Sequence, residues 1–255
     1  MASLHEGNIS LSIFGLTDVG AVRSNNEDSI DWNEEQGLAI LADGMGGHNA
    51  GEVASKLAVD TVKHSLSAVL GSSINTDELK AGISQAMLRA NAVVFEHAMS
   101  NTGCNGMGTT LVVVSYHAEH LVCGNIGDSR VYRYRENELT QLTRDHSLVS
   151  EWVERGFMTK EEAEKSQQKN IITRAVGLQN EVESDLYEFD VQAGDMYLLC
   201  SDGLTDVVND NAIQQALVQS KDEISKMPRK LVDMALDAGG PDNISVIVVS
   251  VEHSS

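Results

Sequence analysis

Three apolar segments of this chain end in an aspartate that is followed by glycine or serine. LAILAD ends at Asp43, LVCGNIGD at Asp128 and YLLCSD at Asp202, while a fourth acid, Asp242, directly precedes the apolar run ISVIVVSV. Apolar runs rich in β-branched residues predict buried strands. A single Asp-Gly step after a strand is only a turn signal. Four unpaired carboxylates at strand ends would each cost several kcal/mol, so together they indicate a shared divalent cation.

The residue types near these aspartates indicate which ion they would hold. Carboxylates, a backbone carbonyl and water suit Mg²⁺ or Mn²⁺, and the sequence has no nearby set of His and Cys typical of zinc or copper. The glycine-rich segment DGMGGHNAG matches neither GxxxxGK[ST] nor GxGxxG, because Asn49 stands where a third glycine would be. Its glycines instead allow the backbone to bend so that carbonyls face a metal. His48 in this segment is either a proton donor or an exposed loop residue.

Arg23 is the one cation in an N-terminal block that also carries Glu27 and Asp28. Beside an acidic metal site, an arginine can hold two phosphate oxygens at once. The alternative is an ion pair between Arg23 and Glu27 one turn later. Other phosphate chemistries fit poorly, because no cysteine heads a Cys-x5-Arg loop and no two aspartates form Asp-x-Asp.

Charge and cysteine content restrict the partners and the cellular compartment. The 255 residues include 18 Lys and Arg against 38 Asp and Glu, a formal charge of −20. This balance opposes binding to nucleic acid or to anionic lipid. The three cysteines are far apart and form no CxxC pair, which excludes a structural zinc site of the usual spacing. The first residues lack a signal-peptide pattern and no stretch nears the ~18 apolar residues of a membrane span, so we expect a cytoplasmic protein.

Short apolar strands and longer amphipathic helices alternate in an order that predicts layers. The predicted strands are Leu11–Leu16, Leu38–Ala42, Thr109–Tyr116, Leu121–Ile126, Val131–Tyr134, Leu186–Val191, Met196–Cys200 and Ile244–Val251. The short gaps within Thr109–Tyr134 predict an antiparallel meander. Two helices precede this run, around Val53–Val69 and Leu79–Val94, and two follow it, near Asn211–Ser220 and Ile224–Ala238. Sheets in the middle with helices outside follow from this order, and the polar segment 144–174 is expected to lie on the surface.

The motifs, taken in order, resemble those of the bacterial metal-dependent type 2C (PPM-type) serine/threonine protein phosphatases. They cover nearly the whole chain: RSNNEDS from Arg23, ADGMGGH from Ala42, GTT from Gly108, NIGDSR from Asn125, ITRAVG from Ile172, SDGLTD from Ser201 and GPDN from Gly240. The resemblance implies an α+β fold, a four-layer α-β-β-α sandwich of two central antiparallel β-sheets flanked by helices. It implies one catalytic domain over residues 1–255, with a flap subdomain at about 144–174.

The resemblance also implies a ligand set. Asp43 would bridge two ions, with a carbonyl of Gly44 on one of them. Asp202 and Asp242 would complete the ligands of the second ion, and Asp128 with Asp202 matches a third-ion site of bacterial members. The implied cofactors are therefore two or three Mn²⁺ or Mg²⁺ ions.

Four further residues have roles implied by the resemblance. Glu27 or Asp28 would act mostly through bound water, and Arg23 would hold the substrate phosphate. Animal and plant members place a histidine directly after Asp-Gly, where this chain has Met45. His48 follows three residues later, as in other bacterial members, so the proton donor is either His48 or a metal-bound water.

The implied activity is hydrolysis of phosphoserine and phosphothreonine in proteins, by a metal-bridged hydroxide that attacks phosphorus directly. The expected partners are phosphorylated proteins, among them a bacterial Ser/Thr kinase and its targets, with the enzyme acting as a monomer. Two alternatives are a catalytically silent metal-binding interaction module and a metal-dependent phosphodiesterase. The first is disfavoured because the metal-binding aspartates are all present, and the second because the chain is strongly acidic.

Overall fold

The computed structural model describes residues 9–46, 50–70, 74–117, 119–219 and 221–253. The strands are β1 Ile9–Asp18, β2 Asp28–Asn33, β3 Leu38–Met45, β4 Gly108–Thr109, β5 Leu111–His117, β6 His120–Ile126, β7 Arg130–Arg135, β8 Glu138–Gln141, β9 Asp185–Asp190, β10 Met196–Cys200 and β11 Ile244–His253. The helices are α1 Ala50–Leu70, α2 Thr76–Ser100, α3 Leu148–Glu154, α4 Lys160–Glu164, α5 Asp202–Thr205, α6 Asp210–Gln219 and α7 Met227–Asp237. Short 3-10 turns occupy Glu34–Gln36, Thr102–Cys104 and Lys221–Lys226.

The strands form two antiparallel sheets that pack face to face. One sheet has the order β1-β11-β10-β7-β8, and the other has the order β2-β3-β5-β6-β9 with β4 paired to β3. Helices α1 and α2 cover the second sheet, in a core that includes Ile40, Leu66 and Ile83. Helices α6 and α7 cover the first sheet, in a core that includes Leu198 and Leu231. This arrangement confirms the predicted four-layer sandwich.

The strands β3, β5, β10 and β11 contain long apolar runs because both of their faces are buried. On β3, Ile40 and Ala42 face the helices, whereas Ala39 and Leu41 face the other sheet. The alternation of side chains along a strand places successive residues in different cores. The run stops at Asp43, where β3 leaves the core at one end of the sandwich.

The predicted meander over Thr109–Tyr134 is correct for its first two strands and wrong for the third. β5 pairs with β6, but β7 pairs with β8 and β10 in the opposite sheet. The chain crosses between the sheets at Gly127, whose φ is +106°. A side chain is strained in this conformation, whereas glycine adopts it readily. The crossing carries Asp128 to the end of the sandwich where β3 also ends.

The helices α2 and α7 begin at residues other than those predicted from the spacing of apolar residues. α2 is capped by Asn75, whose side chain accepts from the backbone N–H of Glu78 while the Glu78 carboxylate accepts in return, a capping box. The last helix begins at Met227 rather than at Ile224, because Lys221–Lys226 forms a 3-10 turn and Pro228 occupies the first turn of α7. The spacing of Asn49 and Glu52 predicts a capping box at the start of α1, but Asn49 lies outside the described residues.

The segment 144–174 lies on the surface, as predicted, and contains the short helices α3 and α4. Phe157 at its outer edge is 73% exposed. Inside the segment, Lys169 forms a 3.0 Å ion pair with Asp206, which caps α5 of the sandwich. None of the described helices combines the length and apolar composition needed to cross a membrane.

Candidate metal centre

Five aspartates from different parts of the chain meet at one end of the sandwich. Asp28 at the start of β2 lies directly across from Asp43 near the end of β3. Asp202 begins α5 directly after β10, and Asp242 stands just before β11. Asp128 follows the crossing between the sheets. Antiparallel pairing therefore brings together the acids that the sequence places at strand ends.

The carboxylates of this group raise one another's pKa values. Burial raises the pKa of Asp43 well above its usual range, and Asp28, Asp202, Asp128 and Asp242 raise it further. Directly opposed like charges on neighbouring strands are destabilising. A cation between these groups would offset that repulsion.

The neighbouring carboxylates are perturbed in the same direction. Burial is the largest cause that raises the pKa of Asp202 to about 8, followed by the charge of Asp128. Burial also raises the pKa of Asp28 to about 6. The pKa of Asp128 is raised to about 6 by burial and by the charge of Asp145. Burial and neighbouring charges thus disfavour the charged form of these three carboxylates, and a bound cation would favour it.

Two buried threonines fix the backbone of Asp43. The N–H of Thr110 and the hydroxyl of Thr109 both donate to the Asp43 carbonyl at 2.8 Å. The Asp43 N–H donates to the Thr110 hydroxyl oxygen at 2.9 Å. Both threonines are fully buried. The Gly-Thr-Thr motif of the sequence therefore holds the end of β3, a role that its spacing alone did not predict.

Gly44 is required because three backbone segments meet at it. A Cβ on Gly44 would stand 2.2 Å from the carbonyl oxygen of Gly51 and 2.5 Å from that of Glu27. The Gly44 N–H donates to the Glu27 carbonyl at 3.1 Å. The start of α1 therefore lies directly against the end of β3, and backbone atoms as well as carboxylates line this side of the centre.

Asn243 ties the loop between β1 and β2 to the start of β11. Its amide nitrogen donates to the carbonyls of Val19 and Asn25 at 2.9 Å, and its side-chain oxygen accepts from the Glu27 N–H at 2.8 Å. The loop that Asn243 holds carries Arg23. The partners of Asn243 lie more than 200 residues away along the chain, so sequence spacing gave no signal for this role.

Arg23 lies at the rim of the carboxylate group. Its terminal nitrogen donates to the Asp242 carboxylate at 2.7 Å, with the Arg23 side chain 53% exposed. The ion pair that forms is thus with Asp242 rather than with Glu27. A guanidinium has five N–H donors, so this bond leaves others for an anion.

Asp28 shows that the centre suits a cation. One carboxylate oxygen accepts from the Ser201 hydroxyl at 2.9 Å. The other oxygen is buried and, within the described part of the chain, has no hydrogen-bond partner. A buried unpaired carboxylate oxygen is costly, and a hard divalent ion or its water would satisfy it.

The carboxylates are spread around the centre rather than closed on one point. Among residues 9–46, 50–70, 74–117, 119–219 and 221–253, no group of three His, Cys, Asp or Glu side chains encloses a single ion. Any ion here would therefore take part of its coordination from water and backbone carbonyls. Mg²⁺ commonly keeps several waters and binds through one or two carboxylates, so the donor set fits such ions. His48 lies outside the described residues and stays a prediction.

Comparison with known proteins identifies the family. The protein phosphatase 2C family matches residues 21–235. The serine/threonine protein phosphatase PstP of Mycobacterium tuberculosis is 40% identical over 235 residues, which is 92% of this chain and 44% of PstP. The serine/threonine phosphatase stp of Listeria welshimeri is 38% identical over 236 residues, 91% of this chain and 93% of that protein. The chain thus spans less than half of PstP but almost all of stp.

A solved structure gives the same result. The catalytic domain of PstP in complex with two manganese ions superposes with a TM-score of 0.85 at 39% identity, covering 96% of this chain and 99% of that domain. The similarity therefore extends over nearly the whole of this chain. This chain therefore belongs to the protein phosphatase 2C family.

Proposed function

We propose that this chain is a metal-dependent protein serine/threonine phosphatase that hydrolyses phosphoserine and phosphothreonine in proteins. The observation that carries the proposal is the group of carboxylates around Asp43, which separate strand ends bring together in a chain of this family. Their raised pKa values are those of a site built for cations.

The metal assignments come from the resemblance to the family. We propose that Asp43 and the Gly44 carbonyl would contribute to the site of one ion, and that Asp43, Asp202 and Asp242 would contribute to that of a second, directly or through bound water. Asp128 with Asp202 would hold a third. When bound, Mn²⁺ or Mg²⁺ ions supply an activated water and neutralise charge on the phosphate.

The residues around the ions would bind the phosphate, hold water and donate a proton. Arg23 binds the phosphate oxygens and stabilises the charge that develops as the Ser or Thr oxygen departs. Glu27 and the unpartnered oxygen of Asp28 accept hydrogen bonds from ordered water. His48 stays the proposed proton donor, with solvent at the centre as the alternative.

A cleft beside the centre gives a peptide a path to it. The cleft has a volume of about 990 Å³, and its lining includes Asp128 and Asp202 together with Lys160 and Lys169. We propose that segment 144–174, which supplies those lysines, is the flap of the single catalytic domain. The phosphorylated side chain would enter at the metal end while flanking residues lie in the cleft.

The finer identity of the partners is also a proposal. We propose that the enzyme acts on phosphoproteins that include a Ser/Thr kinase and its targets, as a cytoplasmic monomer. The support is that PstP and stp, both bacterial proteins, are named serine/threonine phosphatases. Light scattering of the purified protein tests the monomer. No observation favours the silent module or the phosphodiesterase.

The activity is tested with a phosphothreonine peptide and purified protein in EDTA, Mg²⁺ or Mn²⁺. Phosphate release only with metal is expected. Arg23→Ala should raise KM about 10-fold or more, because a charge-assisted bidentate contact contributes about 1.5–3 kcal/mol.

A matched control distinguishes this loss from a general charge effect. Arg89 is exposed on α2, far along the chain from the centre, and Arg89→Ala should leave KM unchanged. Folded protein that releases no phosphate with either metal would overturn the proposed activity.

A further inference from the structure

The turn that carries Asp128 is held from both sides by one buried histidine. The Gly127 N–H donates to Nδ1 of His146 at 3.1 Å. In return, the His146 backbone N–H donates to the Gly127 carbonyl at 2.9 Å. His146 is only 3% exposed. The imidazole is thus bound to the residue directly before Asp128.

These contacts define which ring nitrogen carries the proton. A backbone N–H can only donate, so Nδ1 of His146 is the acceptor and the ring proton stands on Nε2. That nitrogen lies 3.2 Å from the Asp185 carboxylate, to which it donates. Burial lowers the pKa of His146, which agrees with a neutral ring.

Asp185 is itself held in place. Arg174 donates to one of its oxygens at 2.8 Å, and the Tyr187 hydroxyl donates to the other at 3.1 Å. The order of contacts therefore runs from Asp185 to His146 to Gly127. A histidine oriented by a carboxylate in this way has both its tautomer and its ring direction fixed.

The Asn125 side-chain amide also donates to the Gly127 carbonyl, at 3.3 Å, whereas the acceptor of the Gly127 N–H is Nδ1 of His146. Gly127 has a φ of +106°, and a Cβ there would meet the Thr110 side chain at 2.7 Å. On the other side of Asp128, the Ser129 hydroxyl bonds to the Thr110 hydroxyl at 2.7 Å. Side-chain hydrogen bonds therefore hold the turn on both sides of Asp128, and His146 provides the one at Gly127.

We propose that His146 is a positioning residue for metal binding at Asp128, and that Asp185 orients it. The proposal rests on the proposed function, because Asp128 binds an ion only if the centre does. His146 touches neither the ion nor the substrate. It acts by fixing the Gly127 peptide, and thereby the direction in which the Asp128 carboxylate faces the cleft.

His146 and Asp185 also join the two ends of segment 144–174. The His146 carbonyl accepts from the Thr173 N–H at 2.8 Å, while Arg174 bonds to the Asp185 that orients His146. The proposed flap therefore starts and ends at the group that positions Asp128.

Two substitutions of His146 separate positioning from simple packing. In His146→Asn the side-chain oxygen can stand near the former Nδ1 and still accept from Gly127. In His146→Gln the amide reaches the former Nε2 and Asp185 but leaves the Gly127 N–H without its acceptor. The measurement is Mn²⁺ binding by calorimetry, with thermal unfolding in EDTA to verify folding and with Asp128→Ala as the reference.

Expected changes follow from the range seen for residues that orient metal ligands, about 10- to 100-fold in affinity. His146→Gln should reproduce the loss of Mn²⁺ binding seen in Asp128→Ala, while His146→Asn stays within about threefold of the unsubstituted protein. Asp185→Ala should lose about 10-fold, because the imidazole is then free to rotate.

The proposal is overturned if His146→Gln lowers the unfolding temperature and binds Mn²⁺ normally, or if both His146 variants lose binding equally. It is also overturned if Asp128→Ala binds Mn²⁺ like the unsubstituted protein. In that last case, hydrolysis of the phosphothreonine peptide by the unsubstituted protein would show that the proposed function stands without it.

Discussion

At the scale of single residues, the centre combines charges that oppose folding with contacts that hold them in place. Asp202 illustrates the first kind, since burial and the charge of Asp128 raise its pKa to about 8. Asn243 illustrates the second kind, since it makes three side-chain hydrogen bonds to backbone atoms. Substitutions at the two positions should therefore affect stability in opposite directions.

Asp202→Asn should abolish hydrolysis and raise the unfolding temperature in EDTA. The neutral amide removes a buried charge that its neighbours disfavour. Unsubstituted protein should gain about 2.7 kcal/mol when Mn²⁺ is present at 100 times its Kd, and the variant should gain much less. Thermal unfolding with EDTA and with Mn²⁺ measures both effects, and Asp237→Asn at an exposed position is the control. Equal stabilisation of both proteins by Mn²⁺ would contradict the assignment of Asp202.

Asn243→Ala should lower the free energy of unfolding by about 1–3 kcal/mol, because it leaves buried backbone groups without partners. It should also raise KM for the phosphopeptide, since the loop that carries Arg23 loses its attachment. Urea denaturation and steady-state kinetics measure the two effects. The exposed Asn105 provides the control substitution. A normal KM in a destabilised Asn243 variant would mean that the loop keeps its position without this side chain.

At the scale of elements, the fold was predictable where both faces of a strand are buried. The apolar run Leu38–Ala42 of β3 and the whole of β10 were predicted from that pattern alone. β2 (DSIDWN) was not predicted, because it is an edge strand with polar residues on one face and Asp28 at its start. β8 (ELTQ) is a short polar edge strand and was missed for the same reason.

Of the candidate site, the acids were predictable from the sequence and the residues that position them were not. Its acids stand out at the ends of apolar runs, as Asp43 and Asp202 do. The residues that position them do not, because Thr110, Asn243 and His146 act through backbone atoms of distant segments. Polar residues of this kind have no characteristic local spacing, so only the folded chain shows what they contact.

Gly44→Ala tests the close approach of α1 to β3. The added Cβ would stand 2.2 Å from the Gly51 carbonyl oxygen, so the start of α1 must move. We expect a loss of about 1–3 kcal/mol in unfolding free energy together with weaker Mn²⁺ binding, measured by urea denaturation and calorimetry. Gly103→Ala is the matched control, because a Cβ there meets no atom within 4 Å. Unchanged stability in Gly44→Ala would show that this contact is looser than the structure indicates.

At the scale of the whole molecule, three cores make the sandwich rigid and leave the charged centre at one end. Cys123 lies in the core between the sheets and Cys200 in the core beneath α6 and α7, both fully buried. Cys104 is only partly buried. The reactivity of each thiol therefore indicates whether the part of the fold around it is intact.

Native protein should react with a thiol reagent at Cys104 only. Burial raises the pKa of Cys200 to about 12 and also raises that of Cys123, so neither forms the reactive thiolate. Labelling with and without urea, read by mass spectrometry, measures the reaction. Rapid labelling of Cys123 in native protein would indicate that the two sheets separate readily.

The proposed metal centre depends most on Asp43, whose pKa the other four aspartates all raise. The most direct measurement is turnover of a phosphothreonine peptide by Asp43→Asn in Mn²⁺, alongside calorimetric Mn²⁺ binding to the same protein. We predict a loss of at least about 100-fold in kcat and a clear loss of bound Mn²⁺ in a variant that still unfolds cooperatively. Normal turnover and normal Mn²⁺ binding by Asp43→Asn would contradict this prediction.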